Sequence, residues 1–165
     1  MQTRTIGPVD GRGLALDTAA ATHIRNEQGH LIPARVLAEI PGLERTYQSV
    51  ILKRTPPTAV YNCHGLAFAS RRTWITHTAV VQLILKEDRY EEIHRDRVMP
   101  GDLILYYDEL GEIEHSGIVL TAPADSPLGV PKVYSKWAMY AEVIHPANRC
   151  PYAFANARYF RVRQC

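Results

Sequence analysis

The sequence predicts an α+β domain with helices packed on an antiparallel meander. Helix-forming apolar segments fill the first half of the chain, while short β-branched and aromatic runs separated by turn residues follow Met99. The two kinds do not alternate, which argues against βαβ units. At 165 residues with 46% apolar positions, the chain suits one domain with a full core and a recessed site.

Element by element, residues 3–29 are rich in Gly, Thr, Asp and Ala and read as an irregular arm or loose hairpin turning at Asn26-Glu27-Gln28-Gly29. Pro33 opens a short helix over 34–40, and Pro41-Gly42 supplies its stop. Residues 47–53 suit either a strand or a second helix, and Thr55-Pro56-Pro57-Thr58 is a stiff extended connector. Alanines and leucine support a helix from Cys63 to about Arg71, followed by another over 78–86, with Trp74 and Ile75 packed between them. Strands are expected at 103–107, 113–120, 132–137, 142–145 and 157–162. Residues 1–60 are thus an arm with short helices belonging to the same domain as the core, residues 61–165.

Nineteen basic and seventeen acidic side chains give a net charge of +2 without long runs of either sign, so nucleic-acid binding is not expected. The first residues lack a basic region followed by an apolar one, and no apolar run reaches the ~20 residues that span a bilayer. A soluble protein, cytoplasmic as synthesised, is expected, with export by a route lacking a signal peptide if it is a delivered toxin. Three cysteines, at 63, 150 and 165, leave at least one unpaired; Cys150 and Cys165 are close enough in sequence for pairing to be an open question.

The chemistry centres on Cys63 and His115. A thiol in the first turn of a helix feels the positive end of the dipole and unpaired N–H groups, both of which favour the thiolate. A histidine 52 residues on, in a strand, can serve that thiolate as general base and later as acid. Strand alternation puts His115, Gly117 and Val119 on one face and Ser116, Ile118 and Leu120 on the other. Gly117 leaves room beside the imidazole, and Gly65, Ala67, Ala69 and Ser70 let the cysteine helix dock closely on the sheet.

Asn62-Cys63-His64-Gly65, then Met99-Pro100-Gly101-Asp102-Leu103-Ile104-Leu105-Tyr106, then His115-Ser116-Gly117-Ile118-Val119 together resemble the NlpC-type cysteine peptidases and the related CHAP amidases, in the same order along roughly residues 61–137. The resemblance implies a papain-like fold with residues 61–165 as catalytic core, Cys63 as nucleophile, His115 as base and a third, orienting residue on the next strand. The matching position there is Ser135, with Glu142 and His145 as competitors on the following strand. It further implies cleavage of an amide bond in a peptide or in peptidoglycan, by a cell-wall amidase or a bacterial toxin, through a thioester and with neither metal nor organic cofactor. Two other functions fit the residues: acyl transfer of the transglutaminase kind on the same fold, and a non-catalytic binding domain.

The remaining polar residues have structural readings. Pro100-Gly101-Asp102 is a turn whose aspartate caps nearby N–H groups. His64, adjacent to Cys63 in a helix, points elsewhere and is expected in solvent or at substrate. Tyr61 borders the cleft or packs in the core. Without a Cys-x-x-Cys or His-x-x-x-His unit, Cys63, His64, His115, His145 and Cys150 do not read as a zinc set. Trp137, Tyr140, Tyr152, Phe154, Tyr159 and Phe160 read as core, and Arg71-Arg72 with Arg158, Arg161 and Arg163 as solvated faces.

Overall fold

A computed structural model of the protein describes residues 13–163. The first part of the expected arm, residues 3–12, and Cys165 lie outside the described residues; Cys63 and Cys150 are free thiols. The elements run α1 (Ala34–Tyr47), β1 (Leu52–Lys53), α2 (Cys63–Phe68), α3 (Thr78–Glu87), β2 (Tyr90–Ile93), β3 (Leu103–Tyr107), β4 (Ile113–Val119), β5 (Lys132–Lys136), β6 (Glu142–Pro146) and β7 (Arg158–Val162). The class is α+β: three α-helices among the described residues and one seven-stranded sheet in the order β1-β6-β5-β4-β3-β7-β2, with every pairing antiparallel.

Consecutive hairpins β3-β4, β4-β5 and β5-β6 make the central meander, as the spacing of turn residues predicts. One edge strand was legible only as one of two alternatives for residues 47–53, and another not at all. β1 is a two-residue edge against β6, and β2, Tyr-Glu-Glu-Ile, is a charged edge strand against β7. An edge needs only one buried flank, so it carries no long apolar run.

α1 continues to Tyr47 through Pro41, where a stop is expected. Pro41 cannot donate to the Leu37 carbonyl, but both residues are exposed, so water can satisfy that oxygen. The inner stripe, Ile40, Leu43 and Tyr47, packs against Trp137, Tyr140, Ala141 and Val143. α2 ends at Phe68, sooner than expected, because Ser70 and Arg71 both take the left-handed conformation, at φ 49° and 65°.

Two cores flank the sheet. Ile75, Val81, Ile84 and Leu85 pack on Leu103, Leu105, Ile113 and Ile118 from the helical side. Val98, Ile104, Tyr106, Val119, Val133 and Tyr159 form the other core, covered by Cys150, Tyr152 and Phe154 from the loop between β6 and β7. A bulge in β4 sets which side chains face which core: Tyr106 pairs with His115 but Tyr107 with Ile113, so exposed Glu114 is passed over. Ile113 therefore joins the side of Ile118 instead of the side of His115.

Both glycines expected to admit close packing do so, against neighbours other than those expected. A Cβ on Gly65 would lie 1.8 Å from the Thr73 carbonyl oxygen, so the glycine admits the 72–75 segment against α2 rather than the sheet. On Gly117 a Cβ would meet Val133 Cγ1 at 2.4 Å, so the space is filled by β5 rather than left open beside the imidazole.

Candidate active site

Asn62 fixes where α2 begins. Its Oδ1 accepts the Gly65 N–H at 2.9 Å and the Ile75 N–H at 3.2 Å, while its Nδ2 donates to the Ile75 carbonyl at 2.8 Å. This side-chain cap ties the helix start to the segment leading into α3, so Cys63 enters the first turn at a defined place. Cys63 is 6% exposed.

Two imidazoles act on its sulfur. Burial pushes the Cys63 thiol up, but the charges of His64 and then His115, with hydrogen bonding from each, outweigh burial and bring it well below the ordinary thiol value. Cys63 and His115, distant in sequence, are therefore brought together. Neither ring nitrogen of His115 makes a hydrogen bond of regular geometry, although the ring is fully buried. The His115 ring is held by stacking: Tyr152 lies 3.8 Å away, centroid to centroid, with the planes 5° apart, and Tyr106 flanks it at 5.4 Å.

His64 departs from expectation. It is 3% exposed, not solvent-facing, and its Nδ1 lies 2.9 Å from Ser116 Oγ on β4. The signal that locates it is the other face of β4: Ser116 shares the side of Ile118, against which α2 packs, so the residue beside Cys63 meets a hydroxyl there.

None of the three candidates for orienting His115 is hydrogen-bonded to it. Ser135 Oγ is 2.8 Å from His145 Nε2 and accepts the Trp137 indole N–H at 3.1 Å. His145 Nδ1 lies 2.8 Å from the Pro146 carbonyl, which only accepts; Nδ1 therefore carries the proton, and Nε2 accepts the Ser135 hydroxyl. Ser135 thus spends its proton on His145. Burial, together with the nearby His115, draws His145 down to about 4 against a raising contribution from the Pro146 carbonyl.

Glu142 sits in a second network. Its carboxylate accepts from Tyr61 at 2.6 Å, from Arg71 Nε at 2.6 Å and from the Tyr134 hydroxyl. Burial pushes the carboxyl up, yet Arg71, Tyr134 and Tyr61 outweigh it and the net shift is downward. Arg71, its side chain half exposed, is therefore at once solvated and the ion-pair partner of a buried acid. Arg161 likewise forks onto Asp102, at 2.6 and 2.7 Å, while Asp102 also caps the Met99 N–H at 2.8 Å. Lys136, fully buried, donates to the carbonyls of Thr58, Ala138 and Tyr140; burial draws it down to about 7, with Cys63 and Glu142 opposing.

Among the described residues, no group of three or more His, Cys, Asp or Glu side chains is arranged to hold a metal ion. No helix among them is long and apolar enough to cross a membrane. No protein-family model matches the chain, and neither a curated protein nor a solved structure does so.

Proposed function

We propose that the protein is a papain-like cysteine hydrolase that cleaves an amide bond in a peptide or in a peptidoglycan stem peptide. The observation that carries the reading is a buried thiol in the first turn of α2 beside a buried imidazole that makes no regular hydrogen bond to any other residue. Structural histidines in cores are normally hydrogen-bonded, so an unpaired one beside a nucleophile retains capacity for proton transfer. The Cys63 thiolate attacks the carbonyl, backbone N–H groups beside it hold the oxyanion, and the C–N bond breaks as imidazolium protonates the amine. Water then gives a proton to His115, attacks the thioester and releases the acid with Cys63 again a thiolate.

His115 works in this reading without a polar third residue. Stacking on Tyr152 fixes the ring plane, a steric substitute for the carboxylate of a Ser-His-Asp arrangement. The low exposure of Cys63 and His115 supports a second reading, acyl transfer to an amine, since a thioester shielded from water survives to meet another nucleophile.

Incubation with peptides or wall fragments, with and without an added amine, tests both. Hydrolysed product that disappears with Cys63→Ala supports the first, and an amine adduct supports the second. Ordinary thiol reactivity at Cys63, unchanged in His115→Ala, rules out both and leaves a binding domain.

A further inference from the structure

Among the described residues, His115 and Tyr159 alone bury side-chain polar atoms that have no hydrogen-bond partner. Tyr159, on β7, is 5% exposed. Burial pushes its phenol up against the opposing charge of Arg95, so the hydroxyl keeps its proton and is a donor without an acceptor. The residue lines an open cavity of about 430 Å³, a volume suited to a small molecule, where the end of β2 and the start of β7 meet the loop that precedes β7.

The lining has two characters. Ile93, Phe154 and Ala157 give apolar surface, while Glu92, His94, Arg95 and Arg158 bring charge. Most of that charge is answered within the fold: Glu92 lies 4.0 Å from Arg158, whose guanidinium also covers the Tyr107 ring at 4.8 Å, and His94 Nδ1 lies 3.2 Å from Asp96. Arg95 is the exception. It donates from Nη2 to the Gly129 carbonyl, which steadies the guanidinium without neutralising it, and no carboxylate among the described residues pairs with it. An unpartnered donor and an unneutralised cation in one partly apolar cavity are complementary to an anionic oxygen on an apolar body. The Tyr159 hydroxyl has already lost its water on folding, so a ligand oxygen gives it a hydrogen bond with no further desolvation of the donor.

We infer that this cavity binds the carboxylate of a small apolar or aromatic acid, free or as the C-terminal residue of a peptide, with an oxygen accepting the Tyr159 O–H and the charge facing Arg95. A phosphate dianion is a poorer match, since one arginine would face two charges with Glu92 in the same lining. The inference goes beyond the hydrolase reading and does not rest on it.

The test is calorimetric titration of the full chain with phenylpropionate and with N-acetylphenylalanine, each against its own amide, and with inorganic phosphate. The acids should bind with Kd of about 1 mM or tighter, and the amides and phosphate at least about tenfold more weakly. Tyr159→Phe should weaken the acids about tenfold while its denaturant midpoint does not fall, because the hydroxyl it removes has no partner in the free chain; a merely structural tyrosine would show the reverse. Arg95→Gln should bring the acids close to their amides. N-acetylphenylalanine binding at least as tightly as phenylpropionate assigns the site to a peptide end, and phenylpropionate binding alone assigns it to a free acid. Cys63→Ala should bind the acids as the unaltered chain does, so an inactive hydrolase leaves the inference standing. Amides or phosphate that bind as tightly as the acids, no binding of either acid, or a Tyr159→Phe chain that loses stability and keeps its affinity overturns it.

Discussion

Glu142 and His115 are buried in the same sheet, at 1% and 0% exposure, and their surroundings treat them oppositely. Glu142 accepts from Tyr61, Tyr134 and Arg71, and its own backbone N–H donates to Thr55 Oγ1 at 2.9 Å. His115 makes no hydrogen bond of regular geometry, and beyond the Cys63 sulfur on which it acts its ring is held by stacking. A buried polar group left without partners costs free energy, about 1–3 kcal/mol for a lost partner, so this fold satisfies one network and bears that cost at His115 and at the Tyr159 hydroxyl. The contrast separates residues that hold the molecule together from those with capacity left over, and it assigns Ser135 and His145 to the first group with Glu142. A saturated network has nothing to offer a substrate.

The largest expected effect comes from breaking the saturated side. Glu142→Leu removes the acceptor shared by three donors and strands the buried Tyr61 hydroxyl; it should cost about 3–5 kcal/mol in denaturant unfolding. If the contrast holds, the Cys63 thiolate titration of the folded fraction stays where it was. A thiol titration that moves with this substitution would mean that the two regions are one unit.

Acid sharpens the comparison next. His145 belongs to a chain, Trp137 to Ser135 to His145 to Pro146, that is complete only with a neutral ring, and its pKa is drawn down to about 4. Between the ordinary histidine value and about 4, the unfolded chain binds a proton that the folded one refuses. Stability from this residue is therefore present above that window and lost as pH falls through it, by up to roughly 3 kcal/mol. Unfolding midpoints against pH, with and without His145→Asn, measure it; a histidine resonance for residue 145 titrating near the ordinary value would break the assignment.

Gly117 lies between the two regions, on β4 two residues from His115 and paired with Ser135. Gly117→Ala forces a methyl to within 2.4 Å of Val133 Cγ1 unless β5 yields, an overpacking cost of about 1–3 kcal/mol. Because the displaced strand carries Ser135, the His145 resonance should shift as well. An unchanged melting point would show that β5 moves freely there.

Much of the scaffold was legible because it is written in local pattern. β-branched runs between turn residues locate β3 to β7, and helix formers after Asn62 locate α2. What escaped depends on partners that no local pattern reveals. β2 has two glutamates at its centre, and only β7 beside it makes it a strand. Pro41 stops a helix only if the orphaned carbonyl cannot reach water. At the site, the order of Cys63 and His115 is readable, and the alternation of β4 places Ser116 opposite His115. That His64 meets Ser116, and that Ser135 turns to His145, depends on how α2 docks and on how β5 and β6 pair. Arg71 keeps a half-exposed side chain, as read, but its pairing with buried Glu142 far along the chain is written in no local pattern.

The smallest effect concerns the stack itself. Tyr152 comes from an irregular loop after β6 and covers His115 with its ring, while Cys63 beneath is 6% exposed. An aromatic stack of this kind contributes about 0.5–1.5 kcal/mol, equivalent to a factor of about 2–10 in the population of an uncovered site. Tyr152→Ala should raise the rate at which a small neutral alkylator reaches Cys63 by that factor, while Tyr152→Phe, which keeps the ring and removes the hydroxyl, should leave the rate unchanged. Equal acceleration by both would make the hydroxyl the controlling group. Slower labelling in Tyr152→Ala would mean that the stack works chiefly to hold His115 against the sulfur.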